Sequence, residues 1–318
     1  MIRNVCALAG SLSFLDEIDD EIRQAGLDQA VASGNTPPIF DWLLTAFSFQ
    51  GISDKVARGY MDKHGTASWR KMQASLQTLP ACQKLYSYGD FAGCRYDKGS
   101  FTCGEPDHIH TCPVPRPRLR NGRLNQTAYS LFLFVRDVAG GDLIGWIDNQ
   151  LEAATGSSAA GLEAARQEAL IGPLRGVFGV SDKLLSMSLS GLLMGVREQR
   201  PDWFNTGKAM IAIDTLVHNF LFRSGVLESC GIPHRYGPAC YAPGGCAEII
   251  RAVADRIDAR SFNPRFPRLF PRFIQHAIWR YCAAEGLDLC NGNRVADHER
   301  CQINYCYLFQ ICGRKSLK

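Results

Sequence analysis

Apolar and polar positions alternate with the period of an α-helix along most of this chain. Apolar side chains recur every three or four positions in residues 40–60, 124–137, 161–195 and 208–222, with shorter helical pieces near 245–258 and 270–284. This spacing lines the apolar side chains along one face of a helix, which is the face that packs on a core. Signals for β-strands are scarce, so the pattern predicts an all-α fold.

The chain outside these stretches has an N-terminal helix, two predicted loop segments and a C-terminal part of different composition. Residues 1–36 are predicted to form an acidic N-terminal helix that ends at a Gly-Asn-Thr-Pro-Pro break. Residues 80–123 are rich in loop formers and end in a basic, Pro-rich run, and the segment Arg197 to Trp203 is predicted to be a loop. After Gly225 the composition shifts to Cys, Pro, Arg and aromatic residues, which indicates a second domain.

The composition is that of a soluble globular protein. A chain of 318 residues can bury a substantial core and holds one large or two ordinary domains, of which we expect two. A hydrophobic fraction of 46% and a charged fraction of 21% exclude disordered, collagen-like and coiled-coil chains. The net charge of +4 permits nucleic-acid binding without arguing for it. No run of about 18 uncharged apolar residues is present, so we expect no membrane span.

The cysteine content points to metal rather than to disulfides. The chain has 13 cysteines, an odd number that suits a complete disulfide framework poorly. We therefore expect metal sites and an intracellular location, in the cytoplasm, nucleoid or nucleus. Residues 1–15 have some features of a signal peptide, but their single basic residue and the lack of a small-x-small cleavage site favour a first helix.

Two motifs contain candidate functional residues. The first is Gly179-Val180-Ser181-Asp182-Lys183, followed by Ile213-Asp214-Thr215-Leu216-Val217-His218 and closed by Arg223-Ser224-Gly225. The second runs from Trp42 to Ala57 and contains Gln50-Gly51-Ile52-Ser53. In this order the motifs resemble the helix-hairpin-helix (HhH-GPD) superfamily of base-excision DNA glycosylases, which includes endonuclease III and the 8-oxoguanine glycosylases.

The resemblance implies a two-domain helical DNA glycosylase fold. A six-helix barrel with the helix-hairpin-helix would span residues 38–225, with a Cys- and Pro-rich insertion at about 80–123. Residues 1–37 plus 226–318 would form a terminal-helix domain that carries a Cys-rich metal-binding loop.

Lys183 and Asp214 stand at the positions of the family's catalytic residues. The resemblance implies that Lys183 attacks the anomeric carbon of the sugar and that Asp214 stabilises the positive charge that develops there. Burial in a closing cleft would lower the pKa of the lysine by disfavouring its charged form. The alternative interpretation is that each residue merely caps a helix.

The expected partner is double-stranded DNA that contains a damaged base, bound by a monomer. The hairpin residues Gly179, Val180 and Ser181 would offer backbone N–H groups to a phosphate, although Asp182 adds negative charge at that place. Gln50 would fill the gap left by an extruded nucleotide, or would simply cap a helix. Basic residues suited to phosphates include Arg116, Arg118, Arg120 and Arg272, and a solvated basic face explains any one of them as well.

The C-terminal cysteines are candidates for a metal cluster. They are Cys282, Cys290, Cys301, Cys306 and Cys312. The run Trp279-Arg280-Tyr281-Cys282 and the closing Cys306-x5-Cys312 resemble the loop with which endonuclease III-like enzymes hold a [4Fe–4S] cluster. A zinc site and plain buried thiols are the alternatives, and one of the five cysteines is surplus.

A second metal site is possible in the segment before residue 123. It would consist of Cys82, Cys94, Cys103 and Cys112 with zinc, although their spacings lack a C-x2-C signature. No role is assigned to Cys230, Cys240 and Cys246.

The functional hypothesis is a base-excision repair DNA glycosylase with AP-lyase activity that acts on an oxidised base, 8-oxoguanine first. The alternative is a non-catalytic DNA-binding or damage-sensing protein with structural metal sites. A nucleosidase or an RNA-directed relative is a third possibility.

Overall fold

The computed structural model describes residues 1–49, 52, 54–77, 82–97, 100, 102–105, 125–156 and 158–318. Within these residues the secondary structure is predominantly helical, which confirms the predicted all-α class. A single short pair of strands is described, in which β1 (Tyr96–Asp97) runs antiparallel to β2 (Thr102–Cys103). None of the helices in the described residues is long and apolar enough to cross a bilayer.

The helices of the N-terminal half follow the apolar periodicity. They are α1 (Ile2–Ala9), α2 (Phe14–Gln24), α3 (Leu27–Ala32), α4 (Thr36–Phe47), α5 (Asp54–His64), α6 (Trp69–Ser75), α7 (Tyr88–Ala92), α8 (Asn125–Leu133) and α9 (Leu143–Ala153). A π-helical turn at Phe134–Val138 continues α8. The predicted single N-terminal helix over 1–36 is instead three helices, with Gly26 at φ 67° breaking the chain before α3.

The C-terminal half has further helices, followed by a long non-helical tail. These helices are α10 (Ala159–Leu174), α11 (Asp182–Gly195), α12 (Pro201–Gly207), α13 (Thr215–Arg223), α14 (Val226–Ser229), α15 (Cys246–Ala254) and α16 (Pro271–Cys282). The predicted loop at Arg197 to Trp203 is wrong in its second part, because α12 begins at Pro201, whose fixed φ suits the first position of a helix. Residues 208–213 of a predicted helical stretch are irregular, and α13 begins after Asp214.

The chain divides into two compact units. The first comprises Met1–Asp20, Leu189–Gly195 and Phe204–Lys318, and the second comprises Glu21–Ser188 and Val196–Trp203. The first unit thus combines the N-terminal residues with the whole of 226–318, and it also takes in residues 204–225.

The core of the first unit is built around α16. Its apolar side chains recur at helical spacing and are buried against α1, α13 and α15. Phe270 and Phe273 are fully buried and pack with Phe266 and Phe14 at ring-centroid distances of 4.8–6.3 Å. Aromatic clusters of this kind bury a large apolar area and fix the position of the helix that carries them.

The core of the second unit has its own aromatic centre. Phe40 of α4 lies 5.3 Å from Trp69 of α6, and Trp69 lies 4.5 Å from Phe132 of α8. The backbone N–H of Leu143 donates to Thr36 Oγ1 at 3.0 Å, which ties α9 to α4. The turn at Gly179 and Lys183 belongs to this unit.

His276 of α16 makes stability depend on pH. Its ring stacks on Phe14 at 4.3 Å, and Nε2 is buried without a hydrogen-bond partner among the described residues. Burial lowers the pKa of His276 to about 3, and the charges of Arg272 and Arg280 act in the same direction. The folded protein therefore holds the neutral imidazole, whereas the unfolded chain binds a proton below about pH 6.5.

We expect the free energy of unfolding to fall as the pH drops from about 6.5 toward the folded-state pKa, and His276→Phe to flatten this dependence. One proton contributes a slope of up to about 1.4 kcal/mol per pH unit. Urea unfolding at pH 7 and pH 5 measures the slope. The control is His298→Phe, because the His298 side chain is 75% exposed. Equal slopes for wild type and His276→Phe would contradict the expectation.

Candidate functional site

The turn between α10 and α11 presents Lys183. Gly179 adopts φ 74°, a left-handed conformation that glycine takes without strain, and Ser181 is the extended residue that precedes α11. Lys183 is the second residue of α11 and is half-buried. In the described part of the chain its side chain makes no hydrogen bond or ion pair.

The same turn is fastened to α8. The Phe178 backbone N–H donates to Ser130 Oγ at 2.9 Å, and Thr127 Oγ1 donates to the Phe178 carbonyl at 2.8 Å. Gly176 lies directly under the Tyr88 hydroxyl, where a Cβ would collide with it. These contacts hold the backbone that leads into Lys183 in one conformation.

Asp182 is paired within the hairpin. The Arg175 guanidinium donates from Nε to Asp182 Oδ1 at 2.9 Å and from Nη2 to Oδ2 at 2.9 Å, and it also binds Glu168. The hydrogen bonds to Asp182 and then to Glu168 raise the pKa of Arg175. The negative charge that the sequence places next to Lys183 is therefore offset by an adjacent cation.

Asp214 caps α13. Its Oδ1 accepts from the Val217 backbone N–H at 2.9 Å, and its carbonyl accepts from the His218 N–H at 3.0 Å. The carboxylate is half-buried, and its charge contributes to the raised pKa of Tyr236, which burial raises first. Asp214 therefore caps α13, and the cap holds its carboxylate in a defined position at the start of a buried helix. Whether it also has a catalytic role stays a prediction.

Among the side chains predicted to contact DNA, Arg272 lies in the described part of the chain. Arg272 lies in the first turn of α16, where its N–H donates to the Lys208 carbonyl at 3.0 Å and its side chain binds Gln275. Burial lowers the pKa of Arg272 to about 10, against the opposing charges of Tyr241 and Asp214. A phosphate contact by Arg272 stays a prediction. The residues Gln50, Arg116, Arg118 and Arg120 lie outside the described residues.

Four of the five C-terminal cysteines pack on one core. Cys282 ends α16 and is fully buried, and Cys290, Cys306 and Cys312 lie half-buried against the same cluster of apolar side chains. Tyr281 Oη and Cys306 Sγ are 3.0 Å apart. Cys301 is not part of this packing, and its backbone N–H donates to the Arg314 carbonyl at 3.3 Å. All twelve cysteines among the described residues are free thiols.

A buried cation lies beside these cysteines. Arg223, the last residue of α13, is 2% exposed, and its Nη2 donates to the carbonyls of Val295 and Ala296 at 3.2 and 3.4 Å. A hydrogen bond with Cys282 lowers the pKa of Cys290, and the charge of Arg223 acts in the same direction. The arrangement favours thiolate, the form that binds metal, at Cys290, whereas burial raises the pKa of Cys282.

A second group of metal-ligating side chains was not predicted from the sequence. His218, His234, Cys240 and Cys246 place one ligand atom each within 4.8 Å of one another, so together they could hold a metal ion. His218 lies on α13, and Cys246 is the first residue of α15. The spacings x15, x5 and x5 lack a C-x2-C signature, and the only signal is the Cys240/Cys246 pair around Gly244-Gly245.

The zinc site predicted at Cys82, Cys94, Cys103 and Cys112 stays a prediction. Cys112 lies outside the described residues. Cys82 and Cys103 are buried and Cys94 is half-buried.

Comparison of the chain with protein-family models, with curated proteins and with solved structures finds no match. The resemblance to the glycosylases therefore depends on the motifs themselves. What the chain does is inferred from its residues and their geometry.

Proposed function

We propose that this protein is a base-excision DNA glycosylase with AP-lyase activity, which releases a damaged base from DNA with Lys183 as the nucleophile. The observation that carries the proposal is the placement of Lys183. This residue follows the anchored Gly179 turn directly, at the N-terminus of α11, and is half-buried without a partner among the described residues. A structural lysine at a helix start would be disfavoured there, because the helix dipole repels positive charge.

The chemistry assigned to Lys183 is a displacement at the sugar. The lone pair of Nζ forms a bond to C1′ while the bond from C1′ to the base breaks. The base leaves with that electron pair and takes up the proton that the new ammonium at Nζ loses. The resulting amine adduct opens the sugar ring to a Schiff base, from which the strand is cleaved by elimination. The form of Lys183 that attacks is the neutral amine.

Asp214 would stabilise the positive charge that develops on the sugar. Its carboxylate is held by the Val217 N–H at 2.9 Å and is half-buried, so it need not reorganise during the reaction. Preorganised charges in partly water-excluded sites contribute more than the same charges in water.

The hairpin would bind a DNA phosphate through the backbone N–H groups of Gly179, Val180 and Ser181. Ser181 and Gly179 are exposed, and they precede a helix whose N-terminus attracts anions. The Arg175 pair offsets the charge of Asp182, which is the main electrostatic objection to phosphate binding here. An oxidised base, 8-oxoguanine first, is the substrate to test.

We also propose that Cys282, Cys290, Cys306 and Cys312 hold a [4Fe–4S] cluster and that Cys301 is the surplus cysteine. All four belong to the core of the first unit or pack against it, and the charge of the buried Arg223 acts on Cys282 and Cys290, where it would offset the negative charge of a cysteine-ligated cluster. Such a cluster would supply structural cross-linking of the C-terminal segment.

Lys183→Gln should abolish covalent trapping by borohydride on duplex oligonucleotides that carry 8-oxoguanine, an oxidised pyrimidine or an abasic site. The amide cannot form a Schiff base, so no adduct can be reduced. The matched control is Lys71→Gln on α6, because Lys71 is exposed and its Nζ donates to the Thr66 carbonyl at 2.9 Å, a contact on the protein's own backbone. Full trapping by Lys183→Gln would refute the assignment of Lys183 as the nucleophile. Duplex binding by wild type without base release on any substrate would favour the damage-sensing alternative.

Asp214→Asn should lower the single-turnover rate of base release by about 100-fold or more while the thermal midpoint stays unchanged. Asn caps a helix as well as Asp does, but it carries no charge. Asp142→Asn is the matched control, since Asp142 caps α9 by accepting from the Gly145 N–H at 2.9 Å. A rate equal to that of wild type would show that Asp214 only caps α13 and has no catalytic role.

Anaerobically purified protein should contain about four iron atoms per chain with the broad visible absorption of a cubane cluster. Cys306→Ser should lose both signals, because it removes one of the four ligands. Cys301→Ser and the exposed Cys230→Ser should keep them. Loss of iron in Cys301→Ser with retention in Cys306→Ser would overturn the ligand assignment.

A further inference from the structure

We propose that His218, His234, Cys240 and Cys246 bind one Zn²⁺ ion in a closed structural site that fastens segment 231–245 to helix α13. This proposal does not depend on the proposed glycosylase chemistry, although His218 lies on the helix that Asp214 caps. All four residues belong to the first unit.

The distances between the ligand atoms match a zinc tetrahedron. His218 Nδ1 lies 3.4 Å from Cys246 Sγ and 3.5 Å from Cys240 Sγ, and His234 Nε2 lies 3.3 Å from Cys246 Sγ. With Zn–S bonds of about 2.3 Å and Zn–N bonds of about 2.0–2.1 Å, the nitrogen-to-sulfur edge of a tetrahedron is about 3.5 Å. All ligand atoms lie within 4.8 Å of one another, so one ion can reach each of them.

The histidine His234 has the hydrogen bond that a metal ligand needs. Its Nδ1 lies 2.9 Å from the Ile232 carbonyl oxygen, which can only accept. This bond places the ring proton on Nδ1 and leaves the lone pair of Nε2 pointing toward the group. Such an outer hydrogen bond orients metal-bound histidines and raises their basicity.

The backbone around Cys240 and Cys246 is shaped to bring the two thiols together. A Cβ on Gly245 would collide with the Ala239 carbonyl, and Gly244 adopts φ 78°. Cys246 stands at the first position of α15, directly after Gly245. These features let the chain fold back within five residues.

Burial and ligand count make this site structural rather than catalytic. Cys240 and Cys246 are 0% exposed and His218 is 4% exposed. Four protein ligands complete a tetrahedral shell and leave no position for water or substrate. Two thiolates with two imidazoles select Zn²⁺ over the hard cations Mg²⁺ and Ca²⁺. The ion would hold His218 one turn after Asp214 and so fix the start of α13.

The test is the zinc content of the full-length protein, measured by mass spectrometry after dialysis. Wild type, the exposed-site control Cys230→Ser and His234→Cys should retain the ion, because cysteine replaces histidine in many zinc sites. His234→Ala should lose one zinc per chain and unfold at lower temperature. The difference in zinc content per chain between wild type and His234→Ala distinguishes this ion from metal bound elsewhere.

X-ray absorption at the zinc edge supplies the second measurement. The average number of sulfur ligands should rise in His234→Cys, by one for this site, with a matching loss of nitrogen. This outcome does not require His234→Ala to fold. Unchanged zinc content in His234→Ala, or an unchanged sulfur count in His234→Cys, would overturn the proposal. Both readouts are independent of borohydride trapping, so failure of one proposal is distinguishable from failure of the other.

Discussion

The burial of helix α13 against α16 is the constraint on which the first unit depends. Phe220 meets Tyr281 at a ring distance of 5.8 Å, and both side chains are buried. That packing positions a carboxylate before the helix, an imidazole in its middle and a guanidinium at its end, on Asp214, His218 and Arg223. A short isolated helix is not stable in water, so tertiary contacts have to fix the positions of all three groups. Anything that loosens the helix therefore displaces these three groups together.

Charges in this molecule are balanced close to where they occur. Asp182 would weaken anion binding at the hairpin, but Arg175 binds both of its oxygens. Arg223 is buried, and its Nη2 donates hydrogen bonds to the carbonyls of Val295 and Ala296 and to Asp297 Oδ1 at 3.4 Å. An unpaired buried charge would cost several kcal/mol, whereas these arrangements keep each cation hydrogen-bonded. The cation can then act on the neighbouring thiols without destabilising the core.

The apolar periodicity was sufficient to predict the helical class and most of the long helices, because a buried face leaves a 3.6-residue pattern in the sequence. It could not show that residues 208–213 are irregular, since Ile211 and Ile213 are buried there without helical spacing. It also could not reveal the His218 group. Its ligands come from a helix, a loop and a helix start, so only the fold brings His234 near Cys246. The proposed roles of Lys183 and Gln50 rest on the motif resemblance, and no contact among the described residues tests them.

The C-terminal tail indicates what the proposed metal binding would contribute to this fold. Residues 283–318 contain neither helix nor strand, and few of their side chains, such as Val295 and Leu308, are buried. Ordering each residue costs about 1–2 kcal/mol of backbone entropy, which so little apolar burial offsets only in part. The bonds from Lys315 N–H to the Arg223 carbonyl and from Gly313 N–H to the Ser224 carbonyl, at 2.9 and 3.0 Å, tie the tail to the end of α13. A cluster at the cysteines and zinc at His218 would cross-link the two sides of this helix, so that metal loading and the placement of Asp214 become one folding event.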